Sequence, residues 1–210
     1  MSVVFVHFEV APRVLEPHVP FALDVRDGCG YVSVVAFKQE RLRFGRWFAP
    51  EHAFLNVRTY VRVDEEPGIF FLTEWVNSRL ALTIAPPLYG LPCRFGRLEY
   101  REDSGSVTDA AGSLAYRVAK DEPGRFQPCA SGSVDEFLLE RYAAFTQRKG
   151  VRRRFRIRHQ PWPQVCAKVG VTDDSLLRAT FPWLLQTRQV GANFSPGVRE
   201  VWIGRPERVV

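Results

Sequence analysis

The sequence predicts a single-domain, mainly β (α+β) protein in which an antiparallel sheet carries a few accessory helices, and three observations predict it. Short alternating or apolar runs set off by Gly, Pro and Asp dominate the chain, which is the spacing of strands. These runs do not alternate with helical segments as βαβ units would, so the sheet is mostly antiparallel. No Ser- or Pro-rich linker and no internal repeat divides the 210 residues, a length at which one domain buries a sizeable core.

Taken in chain order, the strand runs are 3–8, 30–37, 54–63, 69–76, 94–100, 113–119, 151–159, 165–169, 187–194 and 198–203. Helical signals are fewer: 12–18, 78–88 behind Ser78 as N-cap, 134–147, and a short piece at 173–177. The third carries a capping box at Ser133-Val134-Asp135-Glu136, and Leu138, Tyr142 and Phe145 recur at i, i+4 and i+7 as an apolar stripe.

One hairpin can be registered from its side chains. Glu65-Glu66-Pro67-Gly68 is turn material, and a four-residue loop there sets Val63, Val61, Thr59 and Val57 against Phe70, Leu72, Glu74 and Val76. The other face then carries Asn56, Arg58, Tyr60 and Arg62 with Phe71, Thr73, Trp75 and Asn77, with Arg58 opposite Trp75. Two readings of that face are open: a solvated surface, or a cavity wall whose aromatic area and guanidinium hold a small anion or carboxylate. Glu74 falls among apolar neighbours in this register, where a carboxylate must be paired or act as an acid.

Composition narrows the function classes. With 46% hydrophobic and 25% charged residues the chain is neither disordered, collagen-like nor a disulfide scaffold. Cys29, Cys93, Cys129 and Cys166 are 64, 36 and 37 residues apart with no CxxC spacing, so they are expected to be reduced. His7, His18, His52 and His159 form no close pair and no HExxH, so neither a metal nor another cofactor is expected. Residues 1–10 lack a basic n-region and no run of 18 apolar residues occurs, which points to a cytoplasmic protein without a membrane partner.

The net charge of +6 is local: residues 148–158 hold seven basic and no acidic residues, which leaves 22 basic against 23 acidic elsewhere. A nucleic-acid reading of this stretch competes with a strand reading. Arg152, Arg154, Arg156 and Arg158 alternate with Val151, Phe155 and Ile157, as in an amphipathic edge strand with a solvated basic face, and no RNP, KH or helix-turn-helix signature accompanies them. No specific nucleic-acid partner is expected.

Several strings resemble the YqjF-like uncharacterised family, domain of unknown function 2071: residues 5–12 (FVHFEVAP), 56–61 (NVRTYV), 67–71 (PGIFF), 89–92 (YGLP), 137–142 (FLLERY), 159–163 (HQPWP) and 194–198 (FSPGV). The resemblance spans nearly the whole chain and implies the acetoacetate decarboxylase-like superfamily, with a cone-like antiparallel β-barrel around an internal cavity and helices outside. Decarboxylases of that superfamily carry Gly-x-Pro-Lys-Lys, whose first lysine forms the Schiff base. Here Gly90-Leu91-Pro92-Cys93-Arg94 corresponds, so Cys93 stands in place of the nucleophilic lysine and Arg94 in place of its neighbour; the lysines are Lys38, Lys120, Lys149 and Lys168. A thiol forms no iminium, which implies the fold without the Schiff-base reaction.

The expected site is therefore a small-molecule cavity walled by Arg58, Tyr60, Trp75, Glu74, Cys93, Arg94 and His159, with an unidentified anionic or carboxylate-bearing small molecule as partner and no catalytic role assigned. The helix 134–147 is expected to cover the outer, Val57/Val61 face of the hairpin. Cys93 is read either as a buried inert thiol or as a nucleophile, Tyr142 as core, and Arg141 as a salt-bridge anchor. A non-catalytic ligand-binding module, or a polyanion-binding one using residues 148–158, is the alternative.

Overall fold

The computed structural model describes residues 2–39, 42–44, 47–49, 52–120 and 125–209. Its strands are β1 (Val3–Val10), β2 (Gly30–Gln39), β3 (Leu42–Phe44), β4 (Trp47–Ala49), β5 (His52–Val63), β6 (Glu66–Val76), β7 (Cys93–Phe95) and β8 (Arg97–Tyr100), then β9 (Ser104–Asp109), β10 (Gly112–Lys120), β11 (Ala143–Arg148), β12 (Val151–Arg158), β13 (Val165–Asp173), β14 (Arg188–Ser195), β15 (Val201–Ile203) and β16 (Glu207–Arg208). They form one sheet in the order β4-β3-β15-β12-β11-β6-β5-β2-β1-β14-β13-β10-β9-β8, with β7 beside β6 and β16 beside β12. Pairing is antiparallel except at β6/β11, β6/β7 and β3/β15. The mainly antiparallel expectation holds.

The expected barrel closure does not: among the described residues the ladder runs from β4 to β8 without the ends pairing. The β8–β10 end instead folds back onto the central strands through side chains. The Tyr100 hydroxyl donates to the Phe54 carbonyl at 3.1 Å, and the Trp75 indole N–H donates to Asp109 at 2.7 Å. Between these layers lies one core, with Val4, Val34, Leu55, Val57 and Trp75 against Leu114, Tyr116 and Leu176. A second core on the other face joins Phe5, Tyr31, Phe37, Tyr60, Ile69 and Phe71 to Leu138, Leu139, Phe155 and Trp162. Both faces of the central strands are thus covered, which is why β1 and β2 read as nearly continuous apolar runs.

Four helices join the sheet: α1 (Pro12–Leu15), α2 (Arg79–Tyr89), α3 (Val134–Leu139) and α4 (Ser175–Thr180). α2 starts where Ser78 Oγ accepts the Ala81 N–H and stops at Gly90, whose φ of 74° is left-handed. None of the helices is long and apolar enough to cross a membrane. The expected helix 134–147 is corrected. Its capping residue works as read, Ser133 Oγ accepting the Glu136 N–H at 3.1 Å, but α3 ends at Leu139 and β11 begins at Ala143. Residues 143–146 are buried on both sides, so Ala143-Ala144-Phe145-Thr146 is a short apolar run that serves a buried strand as well as a helix, and parallel pairing with β6 decides it. That approach depends on Gly68, where an added Cβ would lie 2.6 Å from the Phe145 ring and 2.7 Å from the Ala143 carbonyl. Tyr142 is consequently 38% exposed rather than in the core. Nor does α3 cover the Val57/Val61 face; it packs on the Arg58/Tyr60 face.

The basic stretch is a strand as expected, with Phe155 2% exposed on its apolar side. It is not an edge, because β11 lies on one side and β15 and β16 on the other. Arg154 pairs with Glu66 at 3.0 Å and Glu207 at 2.8 Å, and the Arg158 guanidinium lies 5.0 Å from the Trp202 ring centre. Phe155→Ala should therefore cost about 3–5 kcal/mol, and Arg152→Gln, which removes a partly exposed guanidinium 5.2 Å from the Phe21 ring centre, no more than about 1 kcal/mol. Urea unfolding measures both, and the opposite ranking would show that the two faces of β12 are wrongly assigned.

Candidate functional site

The site begins with the β5–β6 hairpin, whose connection is tighter than expected. Its turn is the two residues Asp64 and Glu65, with φ of 48° and 63°, the left-handed pair of a tight hairpin, so that Val63 faces Glu66 and Arg58 faces Phe71. One step further the register shifts: Val57 faces Thr73, which leaves Leu72 as the extra residue of a β-bulge. Beyond the bulge the alternation on β6 is inverted. Glu74 pairs with Asn56 and joins the face of Arg58 and Tyr60, whereas Trp75 pairs with Leu55 and packs into the opposite core.

Asn56, Arg58 and Glu74 therefore share one face, and that face borders a cavity of about 600 Å³. Ser78, Arg141 and His159 also reach it, and the rest of the wall is mostly apolar, with Phe5 from β1, Phe71 from β6 and Phe155 and Ile157 from β12. α2 supplies Leu80, Ile84 and Leu88 at i, i+4 and i+8. These three are 61%, 48% and 50% exposed, so the helix presents an apolar rim that water also reaches.

The polar end is held by hydrogen bonds from behind. Arg58 Nη2 and the Tyr60 hydroxyl both donate to the Leu138 carbonyl, at 3.0 and 2.9 Å, where α3 ends. Tyr60 also bonds the Ser33 hydroxyl, which meets His7 Nδ1 at 2.7 Å, and His7 Nε2 lies 2.9 Å from Asn193 Oδ1. Burial drives the His7 pKa down to about 3, so the ring is neutral and the chain of hydrogen bonds carries no charge. Below it Arg141 donates to Asp24 at 2.6 Å and Arg62 reaches the other Asp24 oxygen at 3.0 Å, an ion triad closed by the Arg141 guanidinium over the Phe137 ring at 4.1 Å.

Against this satisfied background three polar groups stand out. Arg58 Nε and Asn56 Oδ1 are buried and have no hydrogen-bond partner among the described residues. The Glu74 carboxyl is pushed up to about 7 by desolvation, with no hydrogen bond or charge among the described residues to offset it.

Of the residues expected at the site, the structure brings Arg58, Glu74 and His159 to the cavity and sets Tyr60 directly behind Arg58. Tyr142 and Trp162 stack against His159 at 4.9 and 4.6 Å between ring centres, and burial lowers its pKa. Trp75 is corrected to the opposite core by the bulge. Cys93 lies on β7 beside Glu74 but off the cavity wall, and burial, followed by the nearby Glu74 carboxylate, pushes its thiol far up, which makes it a poor nucleophile. Arg94 is also off the wall, half-exposed, with its guanidinium 5.8 Å from the Trp75 ring centre. Among the described residues no lysine lines the cavity; the Lys120 side chain lies outside them. No group of three His, Cys, Asp or Glu side chains suited to a metal occurs among the described residues. Asn56, on the face that the sequence offers as a cavity wall but not among the expected site residues, lines the cavity, as does Phe5, which the sequence does not single out although alternation on β1 carries the signal.

The mainly antiparallel sheet with its helices has the acetoacetate decarboxylase-like fold, as comparison with solved structures shows. Acetoacetate decarboxylase from Legionella pneumophila superposes with a TM-score of 0.64 at 10% identity, covering 100% of this chain and 84% of that one. An acetoacetate decarboxylase-like enzyme from Sphingomonas wittichii RW1 gives 0.61 at 14% identity, covering 99% and 90%. The sequence itself matches the family of uncharacterized conserved proteins called domain of unknown function 2071 over residues 1–199, and the chain belongs to that family. A curated relative, the uncharacterized protein YqjF of Bacillus subtilis (strain 168), is 27% identical over 176 residues, covering 77% of this chain and 71% of its own.

The unpaired Glu74 has a measurable cost. Its folded pKa of about 7 lies above the ordinary 4.5, so the folded state holds the proton more tightly than the unfolded chain, and stability falls as pH rises through that window. Glu74→Gln should match the parent protein below pH 4.5 and exceed it above pH 7 by no more than about 3 kcal/mol, less whatever water in the cavity screens. Urea midpoints at pH 4.5 and 8 measure this, and a difference that does not change with pH would contradict it.

Proposed function

We propose that the protein binds a small molecule with an apolar body and a carboxylate-bearing head, the head resting on the Arg58 guanidinium and the body running along Phe71, Phe155 and Ile157 toward α2. The observation that carries this reading is the buried Arg58 Nε–H, a donor without an acceptor among the described residues at the polar end of a mostly apolar cavity; Asn56 Oδ1 beside it is an acceptor, suited to a hydroxyl or water rather than to the carboxylate. A buried guanidinium N–H without an acceptor costs about 1–3 kcal/mol, and an anionic oxygen from a ligand removes that cost. A volume of about 600 Å³ falls in the range typical of small-molecule sites.

This reading sets the protein apart from Schiff-base decarboxylases by chemistry rather than by fold: the resemblance implies that Cys93 stands in place of the reactive amine, and among the described residues no lysine lines the cavity. A polyanion site on β12 is less well supported, since Arg154 and Arg156 are already held by Glu66 and Glu207.

Octanoate is a suitable probe. Isothermal titration at pH 7.5 should show saturable binding to one site, and Arg58→Met should weaken it about tenfold or more, the equivalent of one charge-assisted hydrogen bond. Absence of binding at 10 mM octanoate, or equal binding by a folded Arg58→Met protein, would contradict the assignment.

A further inference from the structure

We propose that Glu74 is a general base and acid that moves a proton at the carbon next to a carbonyl group of the bound molecule, while Arg58 holds the oxygen on which negative charge develops. The inference rests on the binding reading above and adds a reaction to it.

The geometry supplies the two parts that enolisation requires. Glu74 reaches the cavity from β6 and Arg58 from β5, on the face that the bulge at Leu72 creates, with Asn56 as the cross-strand partner of Glu74 and the neighbour two residues from Arg58. A partly desolvated carboxylate without a hydrogen bond is a stronger base than one in solution, and its pKa, raised to about 7, lies where a group can both take and return a proton. Arg58 keeps its Nε–H unoccupied while the Leu138 carbonyl fixes Nη2, so a donor is already oriented before any ligand arrives.

Of the other ionisable groups at the cavity, two are already engaged and a third lies beside it. Arg141 is paired with Asp24, His159 Nδ1 is held by the Gln160 carbonyl at 2.8 Å, and the Cys93 thiol is off the wall. Among the described residues neither an ion pair nor a hydrogen bond holds the partly buried Glu74 carboxyl on the cavity wall, whereas proton transfer would give it a use there.

The step balances without a co-reactant. A Glu74 carboxylate oxygen takes the proton from the α carbon; the electron pair of that C–H bond becomes the carbon–carbon double bond of an enolate, and the carbonyl π pair moves onto oxygen, which accepts the Arg58 N–H. Neutral Glu74 then gives a proton back to carbon and the carbonyl re-forms. Return to the same carbon gives hydrogen exchange, and return to a conjugated carbon gives isomerisation.

2-Oxooctanoate tests the proposal, because it offers adjacent carboxylate and ketone oxygens to Arg58, exchangeable hydrogens at C3 and an apolar tail. In D2O at neutral pD the proton signal of C3 should decay at least tenfold faster with protein than in buffer, and saturation-transfer spectra of the same sample should report binding. Glu74→Gln should bind the probe and abolish the added exchange, with Glu74→Asp intermediate. Binding without added exchange, or exchange that survives in Glu74→Gln, would overturn the proton-transfer role and leave the binding reading standing. Absence of binding would overturn both.

Discussion

The β-bulge at Leu72 is the constraint on which the site depends. Without it, strict alternation along β6 would place Phe71, Thr73 and Trp75 on one face and send Glu74 into the core packed on Leu55 and Val57. One extra residue exchanges the two. It gives the larger apolar side chain to the dry interlayer core, where the Trp75 indole finds Asp109, and gives the carboxylate to the cavity. A charge buried in the interlayer core would cost far more than one facing a cavity that can hold water or a ligand.

The surroundings of the cavity show how selectively polar groups are left unsatisfied. Asp24 binds two arginines, and His7, Ser33, Tyr60 and Asn193 bind one another without carrying charge. Their common product is a rigid support: the Leu138 carbonyl, fixed at the end of α3, takes bonds from both Tyr60 and Arg58. Against that background Arg58 Nε, Asn56 Oδ1 and Glu74 are exceptions concentrated at one place, and that concentration is the ground of the binding proposal. Neighbours of the same fold share the scaffold at 10–14% identity, so the fold alone does not transmit their chemistry to this chain.

Much of this was legible in the residues. Alternation on β5 marks Asn56, Arg58 and Tyr60 as one face, and that face does meet the cavity or its support. The pairing partners on β6 were not legible, because the bulge residue is Leu72, which carries none of the glycine that flags a bulge, and because the turn uses Asp64 and Glu65 in left-handed conformations that a four-residue loop would avoid. Residues 143–146 misled for a different reason: an apolar run short enough for either a helix or a buried strand is decided by its neighbours, here Ile69, Phe70 and the space left by Gly68. Charge patterning on β12 told its two faces apart but not its position in the sheet, since pairing with β15 and β16 involves residues far along the chain.

The central claim is that Glu74 is a desolvated, unpaired carboxyl placed on the cavity by the bulge. Carbon-13 NMR of protein labelled at the glutamate side-chain carboxyls, with the Glu74 signal assigned by its loss in Glu74→Gln, measures this directly. The account predicts that this carboxyl titrates with a midpoint of about 7; a midpoint near the ordinary 4.5 would contradict it.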